Sequence, residues 1–232
     1  ASDKKVVAIG ETGLDYYYHK GDPQWQQQRF RAHIQVANQL DKPVIVHTRD
    51  AGDDTLDILR QENAGRCGGV IHCFTETQAF ADQAIEMGLM ISISGIVTFR
   101  NAEALRAIAR SIPDDHLLIE TDSPYLAPVP FRGKSNEPKY VPHVAQYLAD
   151  LKGVTLEEVA EQTSENFKKL LMSISDDVRV IIIKMADRLH NMRTLEGMPY
   201  HKQLKIASET LYIFAPLAHR MGLYNIKQEF ED

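Results

Sequence analysis

Four side chains in this 232-residue sequence have the type and the placement to grip a divalent cation: Glu11, His47, His72 and Asp122. Each stands at the carboxyl end of an apolar run of strand length. Glu11 follows KKVVAIG, His47 ends KPVIVH, His72 ends the apolar part of CGGVIHCF, and Asp122 follows HLLIET. Two imidazoles with two carboxylates suit an ion such as zinc, manganese or iron, with water filling further positions. Either histidine taken alone reads as a hydrogen-bonded core imidazole. Their shared placement with two carboxylates favours ligands.

Gathering four residues separated by 36, 25 and 50 positions requires elements that bring strand ends together. A fifth run, MISISG, lies in the longest interval and offers no strong ligand. Between the runs the apolar spacing predicts helices over Gln24 to Leu40, Thr55 to Gln61, Thr77 to Glu86 and Ala102 to Ser111. Strands apolar on both faces and alternating with amphipathic helices predict an α/β fold with a parallel sheet. In a (β/α) barrel all carboxyl ends share the face on which sites are built. A helix over GVTLEEVAEQTSENFKKLL, started by a capping box between Thr155 and Glu158, is expected to close this region, with Leu156, Val159, Ala160, Thr163, Phe167 and Leu170 on its inner face.

Composition narrows the function. The chain is 44% hydrophobic with a net charge of −6, and all of the acidic excess lies before Ser173. Affinity for a phosphate backbone comes largely from Lys and Arg, so a polyanion would need a metal or a local basic patch here. Arg49, Arg132 and Lys134 are the candidate phosphate contacts. No apolar run approaches the roughly 20 residues that span a bilayer, and the cysteines, Cys67 and Cys73, sit in dissimilar surroundings. A cytoplasmic protein with reduced thiols and no membrane partner is expected. Cys73 reads as a small buried hydrophobe, and His143, after a proline at a helix start, as a packing or capping residue.

The motifs IGETGLDYY, PVIVHTRDA, GVIHCF, SISGIVTFRNAEALR, LLIETDSPYLAP and SNEPKYVPHV, in that order, resemble the TatD family of metal-dependent deoxyribonucleases. The resemblance covers about residues 4 to 171. It implies one or two ions (magnesium, manganese or zinc), with Glu11 bridging, His47 and His72 completing one metal, and Asp122 serving the other metal and the attacking water. DNA is the substrate it implies. The family opens with a His-x-His strand that this chain does not contain. The resemblance therefore implies a (β/α)8 barrel lacking its first two strands, with impaired activity and with open edges that invite self-association.

From Met172 onward the chain changes character, holding 5 of the 7 methionines and 2 of the 13 glycines. An all-α segment over residues 173 to 232 is expected. Asp176 and Asp177 suit a helix start, followed by an apolar stripe of Ile182, Met185, Leu189 and Met192. A second helix carries Leu204, Ala207, Leu211, Phe214 and Ala218, with a kink at Pro216. VRVIIIKMADRLHNMRTL and the sequence after PYHK resemble the end of the HD-type hydrolase domain of the RelA/SpoT family, which handles guanosine tetraphosphate. That resemblance gives Asp187 a metal and Asn191 the nucleotide, as parts of a vestigial second site without its earlier ligands. The sequence thus reads as a chimera of two pieces joined near Met172. The leading function is a metal-dependent nuclease. Pyrophosphate hydrolysis of guanosine tetraphosphate and a non-catalytic scaffold are the alternatives.

Overall fold

The computed structural model describes residues 6–18, 21–172, 185–186, 188–190, 192–195, 200–220 and 223–231. The chain divides into two compact units, Ala1–Ile174 and Ser175–Asp232.

The first unit alternates strands and helices throughout. In order they are β1 (Ile9–Asp15), α1 (Gln24–Gln39), β2 (Val44–Arg49), α2 (Gly52–Gln61), β3 (Gly69–Ile71), α3 (Gln78–Glu86), β4 (Met90–Ile93), α4 (Glu103–Ser111), β5 (Leu117–Ile119), α5 (Val141–Lys152) and α6 (Leu156–Met172). The strands pair in sequence order, β1-β2-β3-β4-β5, and every pairing is parallel. A helix after each strand returns the chain to the same starting edge, so every carboxyl end emerges on one side. Sequential order without reversal is the order of a barrel wall rather than of a doubly wound sheet.

Alternation along the strands sorts their side chains onto two faces. Val44, Val46, Ile71, Ile91, Ile93 and Leu117 join one buried core with Phe30 and Ile34 of α1, Leu59 of α2 and Leu148 of α5. Burying each of these large side chains is worth about 1.5–3 kcal/mol. Ile45, Val70, Met90 and Leu118 point the other way and meet Leu170 of α6. His47 shares this second face with Ile45, and His72 shares it with Val70.

The predicted first strand is displaced. It begins at Ile9 rather than Lys4 and runs through the GETGLD motif to Asp15, so Glu11 lies inside β1 and not beyond it. Gly13 explains the fit: at φ +147° a Cβ there would stand 1.9 Å from the His47 carbonyl oxygen. Only glycine lets β1 lie this close to β2. The closing helix forms with its expected cap, the Thr155 N–H donating to Glu158 Oε2 at 2.8 Å and the Glu158 N–H to Thr155 Oγ1 at 3.1 Å. Its buried stripe is Val159, Thr163, Asn166 and Leu170, whereas Ala160 and Phe167 face outward.

The second unit includes the helices Tyr200–Glu209, Ala215–Arg220 and Tyr224–Glu231, and a π turn at Thr210–Phe214 joins the first to the second. Met185, Ala215, Ala218 and Phe230 form its core, with Leu189, Met192 and Phe214 packed against them. The expected stripe is broken, because Leu204 and Leu211 are exposed. A π turn adds a residue to the helical repeat and rotates the preceding face away from the following one. The turn comes just before Pro216, which has no N–H to continue an ordinary ladder. Asp187 and Asn191 lie outside the described residues. No described helix is long and apolar enough to cross a membrane.

Candidate metal centre

Glu11 is held by β1, His47 by β2, and His72 by the residue position directly after β3, where its N–H still donates to the Val46 carbonyl at 2.9 Å. Asp122 follows β5, in a left-handed conformation at φ 56° that aspartate tolerates better than most residues. Ligand atoms of Glu11, His47 and His72 all lie within 4.8 Å of one another. Glu11 Oε1 is 3.0 Å from His47 Nδ1 and 3.6 Å from His72 Nε2. Asp122 Oδ1 stands 3.8 Å from the same His72 nitrogen. The four residues singled out from strand ends are thus brought together, and an N₂O donor set with a further carboxylate beside it fits a borderline divalent ion.

Three more groups surround this cluster. Asp15, two turns of the pleat beyond Glu11, places Oδ2 3.4 Å from His47 Nε2. Glu120, in the ETD motif, places Oε1 2.9 Å from His72 Nδ1. That oxygen is buried, with no partner other than this imidazole among the described residues. Sequence reasoning passed over both carboxylates. Alternation was the available signal, since position 120 continues the face of Leu118, and position 15 that of Glu11. Cys73 joins His72 and Asp122 in a second cluster.

The electrostatics separate these two clusters. Burial pulls the His72 pKa down, but Glu120, Glu11 and Asp122 more than offset it and leave it above the ordinary value. Asp122 is raised by burial, with the His72 charge opposing and Glu120 and Glu11 adding to the rise. Burial pushes the Cys73 thiol up to about 12, even though it donates to Ser94 Oγ at 3.3 Å. A thiol must lose its proton to bind a metal. The Glu11, His47 and His72 cluster is therefore the better cage, and Cys73, expected to be buried, is half-buried with its thiol held neutral.

The basic candidates are all turned onto aromatic rings. The Arg49 guanidinium lies 4.1 Å over Tyr17 and 5.0 Å from Tyr18, that of Arg132 3.6 Å over Phe99, and Lys134 Nζ is 5.8 Å from Phe131. His143 packs edge-on against Phe131 at 5.0 Å, in keeping with a packing role.

Residues 1–172 match the family described as TatD related DNase. The chain belongs to the TatD family. Its likeness to the uncharacterized metal-dependent hydrolase YcfH of Escherichia coli K12 is 59% identity over 170 residues, covering 73% of this chain and 64% of that protein. The uncharacterized metal-dependent hydrolase YabD of Bacillus subtilis is 46% identical over 73% of this chain and 67% of its own length. Among solved structures, the TatD homologue YJJV of Escherichia coli K12 superposes with a TM-score of 0.68 at 30% identity, covering 72% of this chain and 64% of the other. This TatD-family chain thus spans 64% of the length of YcfH. A weaker match, to an HD domain, covers residues 141–224 and overlaps the first from α5 onward. YcfH and YabD are both described as metal-dependent hydrolases.

Proposed function

We propose that the TatD region is a divalent-metal-dependent phosphodiesterase acting on DNA. The observation that carries this reading is the convergence of Glu11, His47 and His72 within 4.8 Å on one rim of the sheet. When bound, an ion there supplies an acidified water and offsets charge on the phosphoryl oxygens. Glu11, His47 and His72 hold it. Asp122, its carboxyl raised above the usual range by burial, is suited to take a proton from the attacking water at Oδ1. The carboxyl ends that carry the cluster also carry Arg49, at the end of β2, and the loop after β5 with Arg132 and Lys134. Those cations meet the backbone phosphates of the strand being cut.

Release of nucleotides from the ends of a single-stranded oligonucleotide, with manganese supplied and with a chelator, tests the reading. Manganese-dependent cleavage is expected, falling to background in His47→Ala. Absence of cleavage with manganese, magnesium or zinc would overturn the nuclease assignment while leaving the family membership in place. Metal content of the purified protein is a second measure, and His72→Ala is expected to lose one equivalent.

A further inference from the structure

Glu120 is a half-buried carboxylate whose Oε1 is shut away from solvent; it has no described role in holding the ion, and it touches the imidazole that does. A neutral imidazole has one nitrogen that donates and one that accepts, and the partner of one nitrogen decides the state of the other. On His72, Nδ1 faces Glu120 Oε1 at 2.9 Å, whereas Nε2 faces Glu11 Oε1 at 3.6 Å and Asp122 Oδ1 at 3.8 Å.

An ionised carboxylate only accepts, so two tautomers compete. With the proton on Nε2, the bare lone pair of Nδ1 would point at the buried oxygen of Glu120, which has no other partner to turn to among the described residues. With the proton on Nδ1, that oxygen gains a donor, and Nε2 presents its lone pair to the space shared with Glu11 and Asp122. An unmet polar atom costs most where water cannot reach it, so the buried Oε1 of Glu120 outweighs the more open carboxylates of Glu11 and Asp122. Glu11 is nearly half exposed and solvent serves it instead. Strand geometry holds the arrangement, since the Glu120 N–H donates to the Ile93 carbonyl at 3.1 Å and extends the β5 ladder by one residue.

We infer that Glu120 is a positioning residue that fixes His72 as the Nδ1–H tautomer and so makes Nε2 the nitrogen that faces the ion. The inference about ion affinity rests on the proposed metal centre; the inference about the tautomer does not.

Long-range ¹H–¹⁵N spectra of the histidine rings, recorded on the metal-free full chain above the titration of His72, read the tautomer directly. The unmodified protein is expected to show a protonated Nδ1 and a bare Nε2 on His72, with Glu120→Ala moving the proton towards Nε2. Glu120→Gln keeps an accepting oxygen at the same position and is expected to retain the Nδ1–H form, which separates the effect from general damage. In parallel, manganese affinity measured by calorimetry is expected to fall 10–100-fold in Glu120→Ala, and by less in Glu120→Gln. A His72 ring already protonated on Nε2 in the unmodified protein, or unchanged between it and Glu120→Ala, would overturn the inference. An Nδ1–H ring in a protein that binds no manganese would instead overturn the proposed centre and leave the tautomer assignment standing.

Discussion

His72 sits under opposing pulls, burial against three carboxylates, and the carboxylates win. Its folded pKa is raised above the unfolded value of about 6.5. The imidazolium therefore stabilises the metal-free protein fully below that value, and this contribution disappears as pH rises through the folded pKa. Comparing urea unfolding of the unmodified chain and His72→Gln, with chelator present, is expected to show a stability difference that is full below about pH 6.5 and shrinks as the pH rises above it. A difference that grows over this range would mean that desolvation dominates and that the ring is held neutral. Binding of an ion reverses the demand, because Nε2 must be unprotonated to be a ligand. Cys73 makes a separate prediction at the same scale. With its thiol near 12, alkylation by iodoacetamide at pH 8 is expected to be far slower than that of an ordinary thiol of pKa about 8.5. Mass spectrometry of a peptide containing Cys73 checks it, and rapid labelling there would contradict the buried, neutral assignment.

Between elements, the buried link with most at stake is Asn166 of α6. Its Nδ2 donates to the Asp114 carbonyl at 2.6 Å and to the Leu117 carbonyl at 2.9 Å, tying the closing helix to the start of β5. Asn166→Ala removes both bonds and strands buried acceptors, at a cost of about 2–4 kcal/mol. Thr155→Ala removes an exposed cap and costs only about 1 kcal/mol. Unfolding in urea followed by the fluorescence of Trp25, the sole tryptophan, on α1, ranks the two; equal losses would refute the link. Asn166 also shows what sequence could and could not yield. The apolar period exposed α1 to α4 and β2 to β5 because burial on a helix or strand leaves a repeat. A buried amide that reaches across fifty residues leaves none, and the period assigned its neighbour Phe167 to the core instead. Likewise β1 was misplaced because its ligand-bearing half, GETGLD, is polar and its pairing is licensed by glycine rather than by apolar side chains. Glu11, His47, His72 and Asp122 were legible because each ends or follows an apolar run, although Glu11 lies inside β1 rather than beyond it. Glu120 and Asp15 were not, because a carboxylate that supports a ligand looks in sequence like any other.

Across the whole molecule, every residue of the candidate centre falls within the first compact unit, Ala1–Ile174, and the ligands are drawn from β1, β2 and the ends of β3 and β5. An ion held there cross-links segments far apart in sequence, yet has no ligand described in the second unit. Binding confined to the folded state stabilises by about 2.7 kcal/mol at a hundredfold excess over Kd, which for a unit of this size raises the melting midpoint by about 5–10 °C. Scanning calorimetry is therefore expected to separate the two units by their response to manganese: the transition of the first moves up, and that of the second, with its small methionine and phenylalanine core, stays in place. Thermal unfolding followed by Trp25 fluorescence identifies the first transition independently. The same experiment weighs the guanosine tetraphosphate alternative, which needs a manganese site on Asp187, with Asn191 positioning the nucleotide. A manganese shift confined to the second transition would favour that alternative and count against the cluster on the sheet rim, whereas a shift shared equally by both would show that the two units unfold as one and that the ion reads out their coupling.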